Sequence, residues 1–230
     1  MSSGAGTSAT RGLDVRTLGL VPYAEALDLQ RALAEERIAG HIPDTLLLLE
    51  HPPVITLGRG TKNTSLPIDA ESLRKRGIEV VEIERGGDVT YHGPGQLVGY
   101  PIIDLQQHTP DLHWYLRRLE AMLIAALGSL GIPAQPREGY TGVWTSGRKI
   151  ASIGIHVRQW VTWHGFALNV TTDLSPFSLI VPCGIPDVVM TSVEQEMAGD
   201  TEVRKAGAAE GLVQLVAGVV TTSFRDTFGF

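Results

Sequence analysis

A single cysteine, Cys183, stands in the whole sequence, between Pro182 and Gly184. Two chemistries compete for it. A free cysteine is among the most buried residue types and packs as a small hydrophobe. Its neighbours argue for a nucleophile instead. Proline before and glycine after fix a turn, and Gly184 has no side chain to keep a substrate carbonyl away from backbone N–H groups. An oxyanion site beside a nucleophile is built in this way. A thiol of ordinary acidity is only a few per cent thiolate at neutral pH, so a catalytic role also demands an activator.

Lys149 sits at a turn-to-strand junction in Gly147-Arg148-Lys149-Ile150-Ala151-Ser152-Ile153-Gly154-Ile155-His156. Strict alternation places Ser152, Gly154 and His156 on one face of the strand and Lys149 on the other. A solvated turn lysine is the plain alternative; a bulge at the junction would remove the restriction. The following segment, Trp163-His164-Gly165-Phe166-Ala167-Leu168-Asn169, continues a hairpin stripped of bulk at Gly154, Gly165 and Ala167. Glycine inside a strand marks close approach of a ligand or another backbone. Together with Gly86 and Gly87 upstream, these positions predict a backbone-lined pocket for a slender apolar chain.

Other chemistries are excluded by what the sequence lacks. It holds no Gly-x-x-x-x-Gly-Lys-Ser/Thr, so phosphate binding by a P-loop is ruled out. Gly93-Pro94-Gly95 with Gly99 leads into a strand rather than opening a helix, which removes the context for dinucleotide binding. Neither Cys-x-x-Cys nor His-Glu-x-x-His occurs, and His108 and His113 are a poor chelating interval apart; no metal and no cofactor is expected. With 19 basic and 25 acidic residues the net charge is −6, which argues against nucleic-acid binding. The first dozen residues show no apolar stretch of a signal peptide, and the runs at 46–49 and 122–127 are far shorter than the ~20 residues of a membrane span. One thiol forms no internal disulfide, in keeping with a cytoplasmic protein.

The elements that must position these groups follow from periodicity. Residues 1–13 read as a disordered tail and 14–230 as a single catalytic domain. Apolar spacing predicts a helix over 22–39. Strands are expected at 45–50, 54–57, 78–84 and 97–105. A helix capped by Thr109 or Asp111 runs to Leu130 with a stripe of Leu112, Leu116, Leu119, Leu123 and Leu127. Three strands follow between 142 and 170, turning at 146–148 and at Arg158-Gln159. A last helix spans about 201–224. Hairpins with three separated helices give an α+β fold: a mixed or antiparallel sheet with helices packed on it.

The loop Arg85-Gly86-Gly87-Asp88-Val89-Thr90-Tyr91-His92-Gly93-Pro94-Gly95-Gln96-Leu97-Val98-Gly99-Tyr100-Pro101 resembles the signature of the lipoyl(octanoyl) transferases of lipoate biosynthesis. The family's order of motifs continues through Leu48-Leu49-Glu50-His51-Pro52 upstream, then Gly142-Val143-Trp144, Lys149–Gly154, His164–Asn169, Ile180–Ile185 and Thr191-Ser192-Val193, where leucine is more usual than Val193. The resemblance implies the biotin/lipoate protein ligase type of catalytic fold. It further implies octanoyl transfer from acyl carrier protein to a lysine of lipoyl domains and of the glycine cleavage H protein. In such enzymes the residue matching Cys183 takes the acyl group as a thioester and the one matching Lys149 tunes it. Arg85, Gly86, Gly87, Asp88, Val89, Thr90, Tyr91, His92, Ser152, Ile153, Gly154, Gly165, Phe166 and Ala167 match substrate-contacting segments, and His164 shapes the site.

Thioester-to-thioester exchange is nearly isoenergetic and needs no ATP, in keeping with the missing nucleotide loop. An acidic carrier protein meeting a chain of net charge −6 calls for a local basic rim, expected from Arg74, Lys75, Arg76, Arg117, Arg118, Arg148 and Arg158. Three other functions compete: an ATP-dependent lipoate or biotin ligase on the same fold, a non-catalytic binder of acyl chains or lipoyl domains, and a cysteine hydrolase.

Overall fold

A computed structural model describes residues 12–62, 64–185, 187–197 and 209–230 of the chain. In chain order the elements are β1 (Leu13–Leu20), α1 (Tyr23–Ile38), β2 (Asp44–Glu50), β3 (Val54–Leu57), α2 (Ala70–Lys75), β4 (Glu79–Glu82) and β5 (Thr90–His92). They continue with β6 (Gln96–Ile102), α3 (Leu112–Ser129), β7 (Val143–Thr145), β8 (Arg148–Arg158), β9 (Val161–Asn169), α4 (Val193–Glu196) and α5 (Ala209–Phe228). Six strands form one sheet in the order β1-β2-β6-β9-β8-β7, and three form a second in the order β4-β3-β5. Both are mixed: β1 runs parallel to β2 and β3 to β4, while the other pairs are antiparallel.

The run Leu46-Leu47-Leu48-Leu49 shows why the large sheet must be covered on both faces. Successive side chains of a strand point to opposite sides. Leu46 and Leu48 enter the core formed with Leu119, Leu123, Leu127, Val216 and Val220, from α3 and α5. Leu47 and Leu49 enter a separate core with Ala26, Leu33 and Ala34 of α1. Each fully buried leucine contributes about 1.5–3 kcal/mol of apolar transfer, so an α+β sandwich follows from one strand's sequence. A third cluster, with Ile55, Leu73, Val89, Tyr91 and Phe177, lies at the small sheet.

Several boundaries differ from the sequence-based expectation. Leu13 is already in β1, so the domain starts at least one residue earlier than residue 14; residues 1–11 lie outside the described residues. The α3 helix is capped by Asp111, whose carboxylate accepts from the Trp114 N–H at 3.0 Å. Its stripe does not include Leu112, which is 45% exposed; the first turn instead packs Trp114 and Tyr115 on the core. The strand expected to reach residue 105 stops at Ile102, and Leu105–Gln107 forms a 3-10 turn capped by Asp104. The β8–β9 turn is Gln159-Trp160, both with positive φ (50° and 65°). That backbone matches the twist of the flanking strands, and it keeps Arg158 in the ladder opposite Val161. The short α2 was missed; Asp69 caps it by accepting from Ser72 N–H at 2.9 Å. The last helix is seen from Ala209 and runs on to Phe228; the part expected at 201–208 lies outside the described residues. Among the described residues no helix is long and apolar enough to cross a membrane.

Candidate active site

Cys183 sits in a one-turn 3-10 segment, Pro182–Gly184, with its own backbone at φ 56°, ψ 22°. That left-handed conformation costs a residue with a Cβ roughly 1–2 kcal/mol, and such strain persists only where the surroundings impose it. Here the Cys183 N–H donates to Val89 O at 2.9 Å and the Gly184 N–H to Val181 O at 3.0 Å. The sulfur is held at a fixed place beside the end of β5, half-buried.

Lys149 is 0% exposed, and its Nζ donates to Cys183 Sγ at 3.0 Å. Ser152 Oγ lies 3.8 Å from the same sulfur. Strict alternation had put Lys149 and Ser152 on opposite faces, and the ladder shows why they share one. Trp144 pairs with Lys149, whereas Val143 pairs with Ala151. One extra residue, Ile150, is therefore inserted in β8. The bulge reverses the face of everything before it. The backbone of Lys149 is then taken up by the loop after Cys183: its N–H donates to Val189 O at 2.8 Å, and its carbonyl accepts from Thr191 N–H at 2.9 Å. The ammonium also stands 5.1 Å from the centre of the Trp144 ring, a cation–π distance. A Cβ on Gly142 would come within 2.9 Å of Lys149 Cε, so glycine there makes room for the lysine stem.

A cavity of about 250 Å³ lies against Cys183. Of the residues expected at the site, Arg85, Gly87, Asp88, Thr90, His92, Ser152, Ile153, Gly154, His164, Gly165, Phe166, Ala167 and Cys183 line it. Four expected residues do not. Lys149 meets the sulfur at 3.0 Å without lining the cavity, and Gly86 uses its N–H on Ile155 O at 2.9 Å. Val89 is buried among the third cluster, and the Tyr91 ring packs edge-on against Phe177 at 5.5 Å. Tyr23, Val98, Tyr100, Tyr140 and Ile185 also line the cavity and were not singled out from sequence. Tyr23 is the first residue of α1, and nothing in its local pattern marks it. Val98 and Tyr100 alternate on β6 within the signature loop, a signal that was available.

Several polar groups of the cavity are buried and held by hydrogen bonds. Arg85 is buried, with Nη2 donating to Thr56 O at 3.0 Å and Thr56 Oγ1 at 2.9 Å and Nη1 to Gly86 O at 3.1 Å. Burial weighs against its charge and lowers its pKa from the usual arginine value. Burial likewise holds His92 well below the ordinary histidine range. Its Nδ1 pairs with Gln96 Oε1 at 2.7 Å, Gln96 Nε2 donates to Asn169 Oδ1 at 2.9 Å, and Asn169 Nδ2 to Thr191 O at 3.0 Å. This chain of amides joins the cavity wall to the segment that brackets Lys149. His164 has φ 55°, and its N–H donates to Gln30 Oε1 at 2.9 Å. Burial pushes its imidazole down to about 3. His51, bonded to Val21 O and Tyr100 Oη at 2.7 Å each, is pushed by burial down to about 4.

Two expectations change. Glycines of the hairpin serve close backbone packing as much as an open slot: a Cβ on Gly165 would meet Gly99 O at 2.3 Å, and one on Gly154 would meet Gly86 O at 2.9 Å. The basic rim is largely neutralised. Lys75, Arg117, Arg148 and Arg158 pair with Glu71, Glu120, Glu196 and Glu35 respectively. Among the described residues no group of three or more His, Cys, Asp or Glu is arranged to hold a metal ion.

The octanoyltransferase of Koribacter versatilis is 54% identical over 190 residues, which are 80% of this chain and 76% of that protein. The octanoyltransferase of Rubrobacter xylanophilus is 50% identical over 220 residues, 94% of each chain. In architecture the chain is similar to lipoate-protein ligase A in its ATP-bound crystal structure, with a TM-score of 0.69 over 96% of this chain and 86% of the other; at 16% identity that likeness speaks for the fold. The model of the lipoyl protein ligase A/B catalytic domain matches residues 22–209, and the chain belongs to that family.

Proposed function

We propose that this chain transfers an octanoyl group to protein in lipoate biosynthesis, through a thioester on Cys183. The activity rests on its relatives, octanoyltransferases at 50% and 54% identity. The observation that carries the mechanism is the 3.0 Å contact between the buried Lys149 Nζ and the Sγ of Cys183, which lines the cavity. A lysine ammonium there stabilises the negative charge of the attacking sulfur. The sulfur attacks the carbonyl of octanoyl-acyl carrier protein, and the departing carrier thiolate takes a proton from Lys149. The lysine, now neutral, accepts a proton from the acceptor's ε-amino group as it attacks the acyl-enzyme, and the Cys183–Lys149 pair is restored. Donor and acyl-enzyme are both thioesters, so no nucleotide enters.

The cavity suits the acyl chain. Ala167 pairs in the ladder with Ser152, whose Oγ is 3.8 Å from the sulfur, and His164 lies three residues along β9, a strand distance of about 10 Å. An extended eight-carbon chain, a zigzag of roughly 1.5 Å bonds, reaches about as far. Burying its seven carbons beyond the carbonyl contributes at most roughly 5–6 kcal/mol. Acceptors on this reading are lipoyl domains and the glycine cleavage H protein, and a carrier-protein donor places the reaction in the cytoplasm. The test is to mix the protein with octanoyl-acyl carrier protein and an apo lipoyl domain without ATP. The expected product is an octanoyl-lysine on the domain. A strict need for ATP and free acid would favour the ligase reading, and release of octanoate alone the hydrolase.

A further inference from the structure

Beside the nucleophile stands a buried carboxylate that, among the described residues, makes no ion pair. Asp88 precedes β5, is 8% exposed, and lines the cavity with Cys183. Its Oδ2 accepts from Ser65 Oγ at 2.7 Å and its Oδ1 from the Val89 N–H at 2.7 Å. The neighbouring carbonyl, Val89 O, is the one that anchors the Cys183 N–H. A Cβ on Gly184 would sit 2.5 Å from Asp88 Oδ2, so the carboxylate flanks the residue that follows the sulfur.

None of the ion pairs among the described residues includes Asp88. Arg85 acts on it only at a distance and spends its hydrogen bonds on Thr56 and Gly86, and Lys149 donates to the sulfur. A carboxylate has room for about four hydrogen bonds, and two are filled here. A buried charge without a directly paired cation is costly, and this one faces the cavity beside Cys183.

The donor thioester brings no positive charge to the sulfur, but the acceptor does. On the acyl-enzyme reading above, we infer that Asp88 binds the ε-amino group of the acceptor lysine and stabilises the charge that develops on its nitrogen. The acceptor arrives as an ammonium with three protons. One is lost to solvent, giving the neutral amine, which donates an N–H to the free lone pairs of Asp88 and turns its own lone pair to the thioester carbonyl. The C–N bond forms, the C–S bond breaks, the second proton passes to Lys149, and the third stays on the amide. While the C–N bond forms the nitrogen is positive, and a fixed carboxylate beside it lowers that barrier.

The test compares two nucleophiles on octanoyl-enzyme prepared with octanoyl-acyl carrier protein. One is the apo lipoyl domain, whose nitrogen Asp88 would hold. The other is hydroxylamine, small and neutral near pH 7, with no lysine stem to dock. Loss of a hydrogen bond to a charged group predicts that Asp88→Asn lowers the ratio of domain to hydroxylamine deacylation by at least about tenfold. Asp88→Glu, which keeps the charge, retains most of the ratio and guards against a folding defect in the first variant. An Asn ratio equal to wild type would overturn the role of Asp88 and leave the acyl-enzyme standing. Absence of acyl-enzyme in the wild-type protein would overturn both.

Discussion

Replacing Lys149 by methionine separates the chemistry of the pair from the packing around it. The side chain is 0% exposed, and its Nζ donates to Cys183 Sγ at 3.0 Å. Methionine keeps the unbranched stem and removes the charge. Arginine is the poorer probe, because the stem already passes where a Gly142 Cβ would be only 2.9 Å from Lys149 Cε, and a guanidinium would overpack that slot. A hydrogen bond to a charged group contributes about 1.5–3 kcal/mol. At 1.4 kcal/mol per decade this is a loss of roughly 10–100-fold in the rate at which the sulfur is acylated. Removal of the general base slows the second step as well, by about 10²-fold or more. Removing one partner of a buried pair is destabilising when the other stays charged, but a thiol of ordinary acidity is mostly neutral near pH 7, so the melting temperature should stay close to wild type. The assay is single-turnover acylation by octanoyl-acyl carrier protein, read by intact mass, beside a thermal melt. A folded Lys149→Met protein that acylates at the wild-type rate would refute the assignment.

Three further outcomes follow from the geometry. A Cβ on Gly99 would lie 2.1 Å from Phe166 Cζ, so Gly99→Ala should cost about 1–3 kcal/mol by overpacking, visible in a denaturant melt as a lower midpoint at unchanged slope. His51 titrates at about 4 in the folded chain and near 6.5 when unfolded. The unfolded chain therefore binds more protons between those values, and stability is full above about 6.5 and falls as pH drops toward 4, by up to a few kcal/mol. Replacing His51 with glutamine should flatten that slope, and an unchanged slope would assign it to other groups. Charge reversal at Arg74 and Arg76 should slow acylation by the acidic carrier at low salt, whereas reversal at Arg158, already paired with Glu35, should matter less. Equal salt dependence in both sets would remove the rim from the encounter.

Local signals carried much of this structure. The leucine run at 46–49, the Asp111 cap and the hairpin from 142 to 170 were readable because period and capping chemistry act within a few residues. The pairing of Lys149 with Cys183 was not readable from period, which sent the lysine to the wrong face. The bulge at Ile150 is set by the Trp144–Lys149 register and by the loop bonding at Val189 and Thr191, contacts distant in sequence. The same holds for the glycines: spacing marked Gly165 and Gly154 as places of close approach, and only the fold shows that Gly99 O and Gly86 O are the approaching atoms. Tyr23 reaches the cavity through the packing of α1, and the neutralised rim depends on partners such as Glu196, which pairs with Arg148 at 2.9 Å. Tertiary placement decided each of these.

The covalent role of Cys183 is tested most directly by mapping the acyl group. The protein is incubated with octanoyl-acyl carrier protein, without ATP or acceptor, then digested at low pH and sequenced by mass spectrometry. The account predicts an octanoyl group on the peptide containing Cys183, labile to hydroxylamine and lost in Cys183→Ser. Octanoyl transfer to a lipoyl domain that persists in Cys183→Ser would contradict it, as would an adduct mapped to any other residue.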